Sequence, residues 1–456
     1  MVLFYWLNIN QTRSIVLKPT VAIVGKPNTG KSTFFNRISG RRISIVHDIP
    51  GVTRDRIFAE ADWAGHNFNL VDTGGLEPNS EDQMQRHIRK QAELAIATAD
   101  VIVFFTDVKQ GITASDYEIA ELLRTVGKPV VLAVNKLDIY QPDLLYDFYS
   151  LGYSDVYGIS AEQGLGIGDL LDKIVSFFPK IEASDDEYEN YIKIAVVGKP
   201  NTGKSSLVNK ILGEERVIVS DIAGTTRDSI DTPVTINGEN YVIIDTAGLR
   251  RKRSVDSAVE AISAIQAMKS IERADVVLIM MDSSENAISE QDVRVAGYVH
   301  EKGKPSVIVM NKWDLVDKDT YTIERYKKEL DEKLKFMSYY KEVFISAKTG
   351  KRIDKLLELI KEVYQNSHRR VSTGVLNEII SNAVATTPPP TSAGRQLKIY
   401  YATQTKTAPP TFVFFVNDYK LMHFSYERYL ENCLRSALDF SGTPILLQLK
   451  NKTKGD

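Results

Sequence analysis

Two stretches of this chain have the residue types that phosphate binding requires, and they are identical. The sequence GKPNTGKS occupies Gly25–Ser32 and recurs at Gly198–Ser205. Glycines let a backbone wrap an anion so that successive N–H groups point at it, and the start of a helix adds partial positive charge. Each stretch matches the phosphate-loop pattern G-x-x-x-x-G-K-S after a run of β-branched residues. The chain is therefore expected to bind two nucleotides, one at each stretch.

The lysine and the hydroxyl residue of each loop have separate predicted roles. Lys31 and Lys204 should reach the β- and γ-phosphates, whereas Ser32 and Ser205 should offer a hydroxyl to Mg²⁺. The predicted nucleotide-binding residues of the two loops are Gly25, Lys26, Pro27, Asn28, Thr29, Gly30, Lys31, Ser32 and Thr33, and Gly198, Lys199, Pro200, Asn201, Thr202, Gly203, Lys204, Ser205 and Ser206. A phosphate loop alone leaves kinases, ATPases and GTPases open.

A second motif in each copy selects the base. NKLD at Asn135–Asp138 and NKWD at Asn311–Asp314 follow apolar runs. A carboxylate at the fourth position can accept hydrogen bonds from N1–H and the 2-amino group of guanine, and adenine has neither donor there, so the site should reject ATP. Serine-alanine pairs further on should complete the pocket through backbone N–H groups. The predicted base-binding residues are Asn135, Lys136, Asp138, Ser160 and Ala161, and Asn311, Lys312, Asp314, Ser346 and Ala347.

Between these motifs lie residues expected to sense the γ-phosphate. DTGG begins at Asp72 and DTAG at Asp245; each aspartate can hold Mg²⁺ through water, and the final glycine N–H can contact the γ-phosphate. A threonine in PGVTRD and one in AGTTRD can close onto Mg²⁺, with Thr225 a competing candidate in the second copy. The predicted magnesium ligands are Ser32, Thr53, Asp72, Ser205, Thr226 and Asp245. The predicted catalytic residues are Lys31, Asn28, Thr53, Gly75, Lys204, Asn201, Thr226 and Gly248.

A leucine follows the final glycine of DTGG and of DTAG. Leu76 and Leu249 stand where a glutamine would orient the attacking water. Another group must then position that water, and the charge on the leaving phosphate must be offset without an arginine finger or a glutamine. One hypothesis is that Asn28 and Asn201 ligate K⁺ beside the β- and γ-phosphates.

These motifs must be positioned by two copies of one fold. An offset of 173 residues relates the loops, Thr53 to Thr226 and Asp72 to Asp245. Each copy alternates β-branched runs with helical patterns, which predicts α/β domains with a mostly parallel sheet and helices on both faces. No helix fits between Thr53 and Asp72, so strands at about 56–62 and 66–72 should form a hairpin with one antiparallel edge strand.

The chain is predicted to contain two GTPase domains and a different third domain. The predicted segments are an N-terminal extension at 1–19, a first GTPase domain at 20–178, an acidic linker at 179–191, a second GTPase domain at 192–366 and an α+β domain at 367–456. In the last domain the pattern predicts helices at 373–384 and 424–438 and strands at 396–404, 411–417 and 444–450.

Composition limits the remaining possibilities. The 456 residues carry a net charge of −2, but from Asn366 on there are eleven Lys plus Arg against six Asp plus Glu. This basic end suggests nucleic acid as a partner, the alternative being a solvated face with none. Cys433 is the sole cysteine, which excludes an intrachain disulfide, and no Cys/His spacing resembles a zinc site. No apolar run is long enough to cross a bilayer, so a cytoplasmic setting without stable membrane association is expected.

With these motifs the chain resembles the bacterial EngA/Der family of GTPases, which have two tandem Era-like GTPase domains. The resemblance covers about residues 20 to 450. It implies P-loop GTPase folds followed by a KH-like domain, Mg²⁺-dependent hydrolysis of GTP to GDP stimulated by K⁺ through Asn28 and Asn201, and a role in maturation of the large (50S) ribosomal subunit through rRNA. We expect a monomer that does not bind DNA.

Two features depart from the family pattern, and two other functions stay open. No GxxG loop follows Asn366, so RNA binding there cannot be inferred from that motif, and the N-terminal extension is not expected. The basic run at Arg250–Arg253 has a polar counterpart in the first copy, which suggests different jobs. The alternatives are a GTPase subunit of a tRNA-modification complex, which would normally carry a cysteine-bearing helical domain, and a slowly hydrolysing scaffold.

Overall fold

The computed structural model describes most of the chain in two compact units. The described residues are 18–39, 58–72, 95–96, 99–125, 127–139, 141–178, 188, 190–213, 217–219, 231–246, 266–285, 287–389, 391–392 and 395–452. Residues 18–178 belong to the first unit, and residues 190–246 and 267–452 to the second. Most of the predicted extension and acidic linker lies outside the described residues. Among the described helices, none is long and apolar enough to cross a membrane.

The sheet of the first unit is the predicted one. Its strands are β1 (Thr20–Val24), β2 (Phe58–Trp63), β3 (His66–Asp72), β4 (Val101–Asp107), β5 (Val130–Asn135) and β6 (Val156–Gly158). They are ordered β2-β3-β1-β4-β5-β6, and β2 is the antiparallel edge strand paired with β3. Strands β1 and β4 are buried along their whole length because both faces of the sheet are covered.

Helices cover the two faces of this sheet. They are α1 (Lys31–Ser39), α2 (Ala114–Arg124), α3 (Ile167–Ser176) and a 3-10 helix (Pro142–Leu151). Phe34 of α1 and Leu170 of α3 share one apolar core, and Ile119 of α2 lies in the core on the other face. The carboxyl ends of the parallel strands therefore meet at one edge, where loops can surround a ligand.

The second unit repeats this sheet and extends it by one strand. Its strands are β7 (Ile192–Val197), β8 (Val217–Val219), β9 (Thr232–Ile236), β10 (Glu239–Ile243), β11 (Val276–Asp282), β12 (Ser306–Asn311) and β13 (Lys341–Phe344), in the order β13-β12-β11-β7-β10-β9-β8. The predicted antiparallel strand is β9, but it is not at the edge, because β8 pairs with it on the outer side. The prediction of an antiparallel edge strand is therefore wrong here. Strand β8 has three residues, too few for a periodic pattern.

Helices again lie on both faces of the second sheet. They are α4 (Lys204–Leu212), α5 (Glu290–Glu301), α6 (Thr322–Lys333) and α7 (Ile353–Ser367). Leu207 of α4 and Ile360 of α7 share one core, and Val299 of α5 and Leu330 of α6 share the other.

The last part of the chain is a small α+β domain within the second unit. Its elements are α8 (Thr373–Thr386), β14 (Thr391–Ser392), β15 (Arg395–Gln396), β16 (Ile399–Lys406), β17 (Thr411–Val416), α9 (Phe424–Ala437) and β18 (Leu446–Asn451). Strand β17 is antiparallel to β16 and parallel to β18. Leu376, Phe414 and Leu430 join both helices to the sheet, and Cys433 packs half-buried against this core. The predicted order of helices and strands is confirmed.

Candidate functional site

Each phosphate loop connects a buried strand to the start of a helix through backbone that favours glycine. Gly25 has φ +154°, and a Cβ there would lie 2.4 Å from the Phe105 carbonyl oxygen. Gly198 has φ +147°, and its Cβ would lie 2.3 Å from the Met280 carbonyl oxygen. Glycine, which has no side chain, lets each loop pass close to the neighbouring strand of the sheet, β4 or β11. The loop can then turn around an anion.

The lysine of each loop is held by the loop's own carbonyl groups. Lys31 Nζ donates to the carbonyl oxygens of Gly25 at 2.7 Å and of Lys26 at 2.6 Å. Lys204 Nζ makes the same bonds to Gly198 at 2.8 Å and Lys199 at 2.7 Å. Burial lowers the pKa of Lys31 to about 8, and the nearby Asp72 carboxylate partly opposes this shift. The ammonium groups are thus held at the loops by backbone carbonyl oxygens.

The rest of each phosphate loop divides into buried and exposed parts. The hydroxyl of Thr29 donates to the Lys26 carbonyl oxygen at 3.0 Å, and that of Thr202 to the Lys199 carbonyl oxygen at 3.1 Å. The exposed residues of the loops and the first helical turns are Asn28, Ser32, Thr33, Pro200, Asn201, Ser205 and Ser206. Pro27 is half-buried. Asn28 and Asn201 share a left-handed backbone, with φ +63° and +64°.

Two predicted magnesium ligands of the first copy lie together. Ser32 Oγ donates to Asp72 Oδ2 at 3.0 Å, and Asp72 is buried at the end of β3. A hydroxyl and a carboxylate are oxygen ligands of the kind Mg²⁺ prefers, so the pair fits this ion. In the second copy the Asp245 N–H donates to Asp231 Oδ1 at 3.1 Å. The predicted residues outside the described part of the chain are Thr53, Gly75, Thr225, Thr226 and Gly248, together with Leu76, Leu249 and 250–253.

The asparagine of each NKxD motif joins the phosphate loop to the base loop. Asn135 Nδ2 donates to the Thr29 carbonyl oxygen at 2.7 Å, and the Ala161 N–H donates to Asn135 Oδ1 at 2.8 Å. Asn311 makes the same bonds with Thr202 at 2.7 Å and Ala347 at 2.9 Å. The prediction directed these alanine N–H groups at the base, and the structure pairs them with the asparagines instead. The sequence cannot reveal this, since the partner comes from a distant loop.

The carboxylate predicted to read guanine is anchored by the serine of the later motif. Ser160 Oγ donates to Asp138 Oδ1 at 3.1 Å, and Lys109 Nζ lies 2.6 Å from Asp138 Oδ2. Hydrogen bonds from Lys109 and then from Ser160 lower the pKa of Asp138. In the second copy the hydroxyl of Ser346 lowers the pKa of Asp314. Both carboxylates are therefore ionised and able to accept hydrogen bonds at neutral pH.

The NKxD lysines form ion pairs with the aspartates that end the neighbouring strands. Lys136 Nζ lies 2.7 Å from Asp107, and Lys312 pairs with Asp282 in the same way. Both lysines have a left-handed backbone. These pairs fix the start of each base loop against the sheet.

The structure adds a buried ion pair behind each phosphate loop, which the sequence prediction missed. Lys26 is one of the predicted nucleotide-binding residues, and its Nζ lies 3.0 Å from Asp116 at the start of α2. Lys199 Nζ lies 3.1 Å from Asp292 at the start of α5. The side chains of Lys26 and Lys199 thus join each loop to the following helix. Their backbone carbonyl oxygens accept hydrogen bonds from Lys31 and Lys204. The repeated signal in the sequence is the capping pattern, Thr113 to Asp116 and Ser289 to Asp292.

Known proteins resemble this chain over most of its length. A family profile described as a 50S ribosome-binding GTPase matches residues 20–136 and 193–312. A profile described as the KH-domain-like C-terminal part of EngA bacterial GTPases matches residues 370–450. The protein named GTPase Der of Acetivibrio thermocellus is 55% identical over 439 residues, which cover 96% of this chain and 99% of the relative. The chain belongs to the GTPase Der family.

A second relative agrees with membership of the GTPase Der family. GTPase Der of Ruminiclostridium cellulolyticum is 56% identical over 430 residues, 94% of this chain and 97% of the relative. Among solved structures, Aquifex aeolicus Era bound to GDP and AlF4⁻ is 22% identical and covers 57% of this chain and 92% of its own, with a TM-score of 0.29. As a GTPase Der family member, the protein is a GTP-binding GTPase with two tandem P-loop domains and a KH-like domain. The family prediction from the motifs is confirmed.

Proposed function

We propose that both units bind and hydrolyse GTP independently, each at its own phosphate loop. The observation that carries this proposal is the repetition of one bonding pattern. In both units an asparagine side chain joins the phosphate loop to the alanine N–H of the base loop, within 0.1 Å of the same distances. A copy that had lost nucleotide binding would not be expected to retain these hydrogen bonds. The carboxylates of Asp138 and Asp314 then accept the N1–H and 2-amino donors of guanine.

In this proposal the groups of the chain bind and orient the nucleotide. Lys31 and Lys204 exchange loop carbonyl oxygens for phosphate oxygens, and backbone N–H groups of the loop surround the phosphates. Ser32 and Asp72 would hold Mg²⁺, which supplies charge neutralisation at the phosphates when bound. Thr53 and Thr226 would add hydroxyl ligands to Mg²⁺, and the N–H groups of Gly75 and Gly248 would donate to the γ-phosphate. Asn28 and Asn201, which are exposed and alike in backbone, would hold K⁺, which would supply further positive charge for the phosphates.

Phosphate release tests the two sites separately. Lys31→Ala should abolish turnover at the first site and leave that of the second, and Lys204→Ala should do the reverse, so the double variant should release no phosphate above background. Rates in KCl and NaCl are compared in each single variant, and Asn28→Ala should lose any preference for KCl at the first site. Equal rates in the two salts would refute the potassium role, and unchanged release in the double variant would refute the site assignment.

We also propose that the protein acts in late assembly of the large ribosomal subunit by binding rRNA in one nucleotide state. Support comes from the description of the matching family profile and from the excess of basic residues in the KH-like region. Sedimentation with purified 50S subunits should retain the protein with a non-hydrolysable GTP analogue and release it with GDP. Equal sedimentation in both states would contradict a nucleotide-dependent role.

A further inference from the structure

The two units differ in the loop that leads from the strand-end aspartate to the following helix. The N–H of Lys109 donates to Asp107 Oδ1 at 2.9 Å, and the N–H of Ser284 donates to Asp282 Oδ1 at 2.9 Å. Each residue stands two positions after its aspartate, and each aspartate pairs with the lysine of its NKxD motif. Lys109 and Ser284 are therefore structural counterparts.

The side chains of these counterparts have different partners. Lys109 Nζ lies 2.6 Å from Asp138 Oδ2, on the carboxylate assigned to guanine. Ser284 Oγ instead donates to Asp282 Oδ1 at 2.6 Å, within its own turn. The charged residue of the second loop is Glu285, and it pairs with Lys199 behind the phosphate loop. An ammonium group thus reaches the base-reading carboxylate in the first unit, whereas the loop of the second unit carries no cation at that position.

Lys109 and guanine require the same acceptor. Asp138 Oδ1 already accepts a hydrogen bond from Ser160, and Oδ2 faces Lys109. The guanine edge presents two parallel N–H donors to a carboxylate. Bound guanine must therefore occupy the space beside Asp138 Oδ2 in which the Lys109 ammonium group lies. We propose that Lys109 competes with guanine for Asp138 and thereby weakens guanine nucleotide binding at the first site, whereas none of the described lysines or arginines forms an ion pair with Asp314 at the second site. This inference rests on the proposed role of Asp138 as guanine reader.

The exposure of the pair sets the size of the effect. The side chain of Lys109 is 61% exposed and that of Asp138 35% exposed. Ion pairs in such surroundings are weak and are screened by salt. Removing the charge of Lys109 should therefore tighten GDP binding about two- to fivefold at low ionic strength, and the gain should shrink at high ionic strength.

Titration of the full-length chain with GDP tests the competition. All proteins carry Lys204→Ala, so that low concentrations of GDP report the first site. Lys109→Gln is compared with Lys173→Gln, which removes the same charge from a partly exposed pair with Asp155, 2.8 Å apart at the opposite end of the sheet. Tighter binding in the first variant alone, lost in 0.5 M KCl, supports the proposal. Unchanged or weaker binding of GDP by Lys109→Gln overturns it.

Introducing a lysine at the corresponding position of the second unit tests the same competition in the opposite direction. An affinity change caused by misfolding of the Lys109 variant can then be distinguished from competition. In a chain with Lys31→Ala, Ser284→Lys should bring an ammonium group toward Asp314 and weaken GDP binding at the second site by a similar factor. Ser284→Gln, of similar length without the charge, should leave the affinity unchanged. Equal effects of the lysine and glutamine variants would contradict competition by charge.

The role of Asp138 is checked separately. In the Lys204→Ala chain, Asp138→Asn should lose affinity for GDP and gain affinity for xanthosine diphosphate, because an amide can donate to the 2-oxo group of xanthine. If this exchange of preference fails, the base-reader assignment is refuted. If it succeeds and Lys109→Gln has no effect, only the competition is refuted.

Discussion

Among single residues, Lys31 has a lowered pKa that links phosphate binding to pH. Its pKa is lowered by burial from 10.5 to about 8, whereas bound phosphates favour the charged form and raise it. Near pH 7 the ammonium group is largely present in both states and the terminal phosphate of GDP is largely ionised, so affinity should change little with pH there. Above pH 8 binding must take up a proton, so GDP affinity at the first site should fall by up to about tenfold per pH unit. Calorimetry on a Lys204→Ala chain between pH 7 and 9.5 measures this.

Guanine itself loses its N1 proton in alkaline solution, and a matched variant separates the two effects. Lys31→Arg keeps a permanent positive charge in the loop, so its affinity should follow guanine ionisation alone. The wild-type residue should therefore give a steeper decline that begins nearer pH 8. Identical pH profiles for lysine and arginine would show that Lys31 stays protonated throughout.

At the scale of elements, the phosphate loop of the first unit is bonded to α2, the helix that follows β4. Asp116 is fully buried and accepts hydrogen bonds from the Thr113 N–H at 2.9 Å, the Thr113 hydroxyl at 2.7 Å and Lys26 Nζ at 3.0 Å. Asp116→Ala removes the carboxylate of the capping box at the start of α2, where Thr113 is the N-cap, and leaves a buried ammonium group without its counter-ion. We expect a loss of about 3–5 kcal/mol in the free energy of unfolding of the first unit, measured by denaturant titration.

A more exposed carboxylate in the same unit provides the control. Asp155 is 27% exposed and pairs with Lys173, so Asp155→Ala should cost at most about 1 kcal/mol. Asp116→Asn keeps the shape and one acceptor and should fall between the two. If Asp116→Ala costs no more than Asp155→Ala, the buried pair does not stabilise the phosphate loop.

The order of elements could be predicted from the sequence because it follows from local patterns, and the departures arise where partners are distant. The residue types of phosphate loops and parallel strands depend on their own backbone conformation and burial. Both copies of these elements can therefore be identified from local sequence. The true partner of Lys26 lies 90 residues away, and that of the Ala161 N–H lies in another loop. Strand β8 is defined only by its pairing with β9. Nothing in a short sequence window encodes such contacts.

At the scale of the whole molecule, the KH-like domain contacts the second sheet at the edge opposite its nucleotide loops. The Ser306 N–H at the start of β12 donates to the Gly442 carbonyl oxygen at 2.8 Å, and the Gly442 N–H donates to the Tyr339 carbonyl oxygen at 2.6 Å. Asn311, the base-loop asparagine, ends the same strand about 17 Å away at the usual rise. These bonds therefore join the domain to the end of β12 that lies away from Asn311.

Gly442 is the position at which this contact can be tested. Its φ is +75°, and a Cβ would lie 2.2 Å from Val363 Cγ2 in α7, so Gly442→Ala should destabilise the second unit by about 2 kcal/mol or more. Gly297 in α5 has no neighbour within 4 Å of an added Cβ, so Gly297→Ala should be neutral or stabilising by up to about 1 kcal/mol. Hydrogen exchange should accelerate at the Ser306 and Gly442 amides in the first variant only. Because β12 stays paired with β11 and β13, GDP affinity of the second site should not change below the melting temperature, and a loss of affinity there would show that the contact reaches the nucleotide.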